Sequence, residues 1–262
     1  MTQININSNI LYRKLKCPLE AAILMEIYNS PVAEVESLTN ISKDVSKALM
    51  KTISPEAKEI LKFWFPTDME NAMKLWFAKS PEVDMTIKTK YEDLFQNATE
   101  GKLDHWLVNP LDCLALLILL DQVPRNIYRH TRNMYSGDSK ALAIVMKAFY
   151  YQHFKHLTPL QCIFLPCLVL THSESVYSQQ LCLDVWKNFV EPRLDQESNL
   201  KYFGDSFHHH WEVITKFGRF PHRNEILGRD TTEQEEAFLQ DASYRFDLPQ
   251  IFQVDDDKIS IA

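Results

Sequence analysis

Chemistry is densest in the stretch Phe217-Gly218-Arg219-Phe220-Pro221-His222-Arg223-Asn224 and in Leu227-Gly228-Arg229 just beyond it. Two of the chain's five glycines fall here, together with three arginines and a histidine. The forked guanidiniums of Arg219, Arg223 and Arg229 suit a carboxylate or a phosphate, Asn224 adds an amide, and His222 can titrate near neutral pH. Gly218 can stop a helix in the left-handed conformation, and Pro221 keeps the helix from resuming. The stretch therefore reads as a turn studded with donors. It serves either to recognise an anion or to satisfy buried carbonyls and acids, and taken alone it does not choose between them.

Two more polar groups sit where apolar helices end. The apolar run that starts at Pro110 closes in Asp121-Gln122-Val123-Pro124-Arg125. Proline disfavours helical backbone at the preceding residue, so a break or kink is predicted at Val123. A carboxylate at such a buried end needs a partner, and Arg125 and Arg129 are the nearest in sequence. The helix opened by Thr158-Pro159 leads into His172-Ser173-Glu174, an acid/base pair or a pair of metal ligands by residue type. It lacks the His-Glu-x-x-His spacing that puts two imidazoles on one helical face. The run His208-His209-His210 can turn only one or two rings toward a common site, and His210 is taken as that one. His172, Glu174 and His222 are the candidate catalytic groups. Asp121, Arg125, Arg129, His210, Arg219, Arg223, Asn224 and Arg229 are the candidate ligand contacts.

The elements that hold these groups are helical. Ser54-Pro55 and Ser80-Pro81 are start signals, and the first helix is predicted to stop at Trp64 before Pro66. Asp138 is predicted to cap a helix over 139–151, another helix covers 179–190, and Thr232 with Glu235 forms a capping box for the last helix. No segment alternates convincingly and glycine is scarce, so the fold class is all-α. Residues 1–53 read as a helical appendage with helices at Leu19–Tyr28 and Ile41–Met50, residues 54–245 as the helical core domain, and residues 246–262 as an acidic tail.

With 262 residues, 45% hydrophobic and 24% charged, the chain can bury a full core. Its net charge of −7 and dispersed basic residues argue against a nucleic-acid or anionic-membrane surface. Five cysteines without a C-x-x-C pair point to reduced thiols. The start of the chain lacks the pattern of a signal peptide, and the longest apolar run, Leu114 to Leu120, is too short to span a bilayer. A cytoplasmic protein is expected, with no cofactor and no dedicated metal site.

The series Leu119-Leu120-Asp121-Gln122-Val123-Pro124-Arg125-Asn126, His172-Ser173-Glu174 with Gln179, Phe217 to Asn224, Leu227-Gly228-Arg229 and Thr232 resembles an uncharacterised bacterial family, domain of unknown function nine-twenty-four. The resemblance covers about residues 54 to 240. It implies an all-helical, tetratricopeptide-like fold in which antiparallel helix pairs stack into a superhelix, and it implies no reaction. Two positions depart from the family pattern: Val169 stands where a proline is usual, and Ser175 where aspartate is favoured. Three functions remain open: a pocket for a small anionic molecule, a helical scaffold for a peptide or protein, and a His/Glu/Asp metal site, the last disfavoured because no pair has dedicated ligand spacing. A pocket requires the three polar groups to converge, whereas a scaffold would spread them along a groove.

Overall fold

The computed structural model describes residues 52–77, 79–195 and 198–240. A polar residue followed by proline starts helix after helix, because proline lacks the N–H that would be orphaned there and a side-chain oxygen takes one of the others. α1 (Pro55–Trp64), α3 (Pro81–Thr99) and α4 (Pro110–Leu117) begin this way, with α2 (Met69–Phe77) between the first two. Ser80 accepts from the Val83 N–H, and Asn109 from those of Leu111 and Asp112. Ser54 acts differently: its N–H and hydroxyl donate to the two Asp112 carboxylate oxygens, each at 2.9 Å, which pins the start of α1 to α4.

Of the break or kink expected at Val123, the chain shows no break: the helical path is disturbed just before that residue and then continues. Ile118–Gln122 forms a π turn and α5 (Val123–Ile127) continues the helix. An α-helical path would press the Pro124 ring on the Leu120 carbonyl four residues back, and the wider turn relieves that clash. A second π turn, Ile163–Cys167, joins α7 (Pro159–Cys162) to α8 (Leu168–Thr171), with Leu165 non-helical before Pro166. Between them lies α6 (Asp138–Tyr150). Beyond them, α9 (Val176–Val185) runs into the π turn Trp186–Val190, and α10 (Tyr202–Phe217) ends at Gly218 with φ 71°. α11 (Asn224–Leu227) and α12 (Glu233–Gln240) complete the described chain, and no strand occurs among the described residues.

Cys113 to Leu120 are all buried, so α4 and its π turn form the axis of the core, with α1 and α6 packed on them. Trp64, Trp76 and Phe164 meet beside that axis with ring centroids 4.9 to 6.5 Å apart. A smaller core of Val213, Ile214, Phe220 and Phe238 lies around the Gly218 turn. Cys113, Cys162, Cys167 and Cys182 are free and buried. No described helix is long and apolar enough to cross a membrane. The helices expected at Leu19–Tyr28 and Ile41–Met50, the tail from 246 and Cys17 lie outside the described residues.

Candidate functional site

The π turn sets the first group. It buries Asp121, which is 2% exposed, and aims its carboxylate at α8, where His172 Nδ1 lies 2.8 Å from Oδ1. Gln122 Nε2 donates to Oδ2 at 2.5 Å, and Arg125 Nη1 stands 3.1 Å from Oδ1. Burial alone would raise the Asp121 carboxyl. The charge of Arg125, the charge that His172 carries only when protonated, and the hydrogen bonds from His172 and Gln122 outweigh it and hold the group well below its ordinary range. An ionised carboxylate can only accept, so Nδ1 of His172 carries the hydrogen and Nε2 is the nitrogen left to meet a bound molecule. Burial, then the Arg125 guanidinium, lowers His172 below its ordinary value despite Asp121, so the resting ring is neutral.

Asp138 is not the cap expected of it. Gly137 occupies the cap position of α6, and the Asp138 carboxylate turns instead to Arg125 in a two-pronged pair at 2.7 and 2.9 Å. A charge-assisted fork outweighs a single bond to a backbone N–H. Gly137 permits this approach: a Cβ there would lie 2.0 Å from the Leu120 carbonyl oxygen, which is backbone and cannot swing away. Gly137→Ala is accordingly expected to destabilise by about 1–3 kcal/mol through overpacking. In chemical denaturation, an unchanged midpoint would show that the π turn yields.

The Gly218 turn supplies the second group. Arg229 grips Glu174 at 2.7 and 3.0 Å, and the Phe220 N–H donates to the same carboxylate at 2.8 Å. Burial would raise Glu174, but these bonds and the Arg223 charge hold it low. Arg223 is 7% exposed, donates from Nη2 to the His172 carbonyl at 2.9 Å, and has its guanidinium 4.6 and 4.5 Å from the ring centroids of Tyr135 and Phe220. Its Nη1 stands 3.7 Å from Asp138. The three motif ends thus come together: Asp121 touches His172, Glu174 touches Phe220, and Arg223 touches the carbonyl of His172.

A cleft of about 190 Å³ opens where they meet, with Asp121, Asp138, His172, Glu174 and Arg223 in its wall. Ser139 and Ser173 add hydroxyls, and Leu142 and Val169 an apolar side. Other candidates stand apart from this wall. Arg129 is committed to Asp84 at 2.5 and 2.9 Å rather than to Asp121. Arg219 is forked onto Glu235, which it draws down to about 2, and Asn224 Nδ2 donates to the same Glu235. Thr232 and Glu235 form the expected capping box. His210 Nδ1 lies 2.7 Å from the Ser206 carbonyl oxygen, and burial pushes its ring well below the ordinary value. His222 is half-buried against Phe220, with ring centroids 5.4 Å apart, and His172 is the imidazole in the cleft wall.

Residue order alone left Tyr135, Asp138 and Ser139 out of the candidate set. Asp138 had a local explanation as a cap, and nothing in sequence spacing places Tyr135 on Arg223. Of the two departures from the family pattern, Val169 lines the cleft, and Ser175 caps α9 by accepting from the Ser178 N–H, as an aspartate would. A larger open groove of about 640 Å³ between α1 and α3 includes Phe63, Lys90 and Tyr91 and none of the motif residues. Among the described residues, no cluster of three or more His, Cys, Asp or Glu is arranged to hold a metal ion.

None of the functionally curated proteins matches the chain significantly. A solved structure, that of the protein of unknown function ATU0120 from Agrobacterium tumefaciens, is similar to it at 30% identity with a TM-score of 0.62. The match covers 70% of this chain and 96% of that one. A family model described as bacterial protein of unknown function (DUF924) matches residues 60–243. Over this span, which contains every group around the cleft, the chain belongs to the DUF924 family of bacterial proteins.

Proposed function

We propose that the cleft binds a small anionic molecule and that His172, oriented by Asp121, exchanges a proton with it. The observation that carries this reading is the coupling, in one wall, of a buried ionised carboxylate to an imidazole whose second nitrogen is left for a ligand, beside Arg223. Arg125 and Arg229 are consumed by forked carboxylates and act as framework, whereas Arg223 makes no such fork. At about 190 Å³ the cleft suits a metabolite of a few carbons, below the usual size of a drug-like site. The competing reading, a tetratricopeptide-like scaffold for a peptide, is less favoured because the distinctive residues gather at one cleft instead of following a groove. A cytoplasmic setting agrees with buried free thiols.

The test is a screen of small carboxylates and phosphates against the native chain, followed by ligand-induced stabilisation. A hit is expected to lose at least tenfold in affinity in Arg223→Gln, an interaction worth about 1.4 kcal/mol or more. The unliganded variant should unfold with a smaller loss than the roughly 3–5 kcal/mol of a broken buried pair. A loss of that full size, with ligand affinity unchanged, would return Arg223 to the framework and sink the proposal.

A further inference from the structure

Resting on the reading just given, we infer that the ligand is a small monocarboxylic acid, its carboxylate held by Arg223, and that it binds with uptake of one proton from solvent onto Nε2 of His172. The first observation is the state of Arg223. Arg125 gives its guanidinium to the Asp121 carbonyl and to both oxygens of Asp138, and Arg229 to Asn224, Phe220 and both oxygens of Glu174. Arg223 donates one short bond, to a carbonyl, and its buried Nε has no partner among the described residues. A guanidinium has five N–H donors, and buried donors left unmade are costly, so oxygens belong beside it. Tyr135 and Phe220 both pack against its guanidinium, whose flat fork matches a carboxylate. The amino end of α6 lines the same cleft through Asp138 and Ser139, and Gly137 offers no side chain to its first-turn N–H groups.

Charge then selects the class. Asp121, Asp138 and Glu174 stand against Arg125, Arg223 and Arg229, three negative groups with three positive ones, so the cleft is balanced before anything binds. A monocarboxylate adds one negative charge, which a proton on His172 offsets. A phosphate dianion would leave a second charge buried without a counter-charge. The groups that face His172 are Asp121 and Arg125 from the π turn and α5, Asp138 from α6, Arg223 from the Gly218 turn and His210 from α10. Burial, then Arg125, holds imidazolium off, while the carboxylates of Asp121 and Asp138 favour it. An incoming anion tips that balance toward the protonated ring. The volume of about 190 Å³ equals roughly six waters at ~30 Å³ each, and Leu142 and Val169 supply an apolar side for a short carbon chain.

The experiment is calorimetric titration of the full chain at pH 6.5 with propionate and, separately, with sulfate, a dianion at this pH, each in two buffers of different ionisation enthalpy. Propionate is expected to bind with uptake of close to one proton and at least tenfold more tightly than sulfate. The uptake should vanish in His172→Gln. Should that variant fail to fold, the native chain still reports: propionate affinity should rise about tenfold per pH unit as pH falls while the free ring is neutral. Propionate binding without proton uptake, or sulfate binding as tightly as propionate, overturns this inference and leaves the anion site standing. If neither probe binds, the anion site falls with it.

Discussion

Asp121→Ala is expected to destabilise the fold by about 3–5 kcal/mol, because it removes one partner of a buried charged network and leaves the others. Arg125 would keep Asp138, but His172 would lose the acceptor of its Nδ1 hydrogen, and Gln122 the acceptor at 2.5 Å. The substitution also frees the ring to adopt either tautomer, so ligand affinity should fall along with stability. Asp121→Asn preserves the volume and should cost less. The Asp121 carboxyl titrates below its ordinary value near 3.8 in the fold. Its stabilisation is therefore fully present above that value and is lost as pH falls toward the folded value. Urea denaturation at pH 7 checks the size: a loss under about 1 kcal/mol would mean that the network is not what holds the π turn to α8.

The second large effect is acid lability. Burial depresses His153, His172 and His210, each below an ordinary value near 6.5, so each ring takes up a proton less readily in the fold than in the unfolded chain. The unfolded chain binds more protons than the folded one between the folded values and 6.5, so stability rises with pH across that window and is complete above it. Read downward, stability should be lost from about pH 6.5, at up to about 1.4 kcal/mol per pH unit for each proton taken up. Where all three rings contribute, the slope approaches roughly 4 kcal/mol per unit. Urea midpoints measured from pH 7.5 to 5 test this. A flat profile would show that the rings are already protonated or stay reachable by water. His172→Gln should reduce the slope by one proton's share.

The sequence by itself determined the helical class, most helix starts and the three polar groups. These follow from local rules: proline with a capping side chain fixes where a helix begins, glycine fixes where α10 ends, and scarce alternation excludes strands. It also marked Asp121, His172, Glu174 and Arg223 as residues with chemistry to explain. Their pairing was not legible, because it depends on which faces meet when distant helices pack around α4. Arg129 and Asp121 are close in sequence, yet Arg129 turns to Asp84 on α3, and Asp121 takes His172, 51 residues away. Local rules failed where tertiary contacts outbid them. Pro124 predicts a break or kink, and burial of both flanking segments selects a π turn that keeps the backbone bonded. Asp138 predicts a cap, but a guanidinium 2.7 Å away binds a carboxylate more strongly than a backbone N–H does. Packing alone decided that Arg223 lies against two rings without a full carboxylate partner, since no spacing rule brings Tyr135 and Phe220 to one guanidinium.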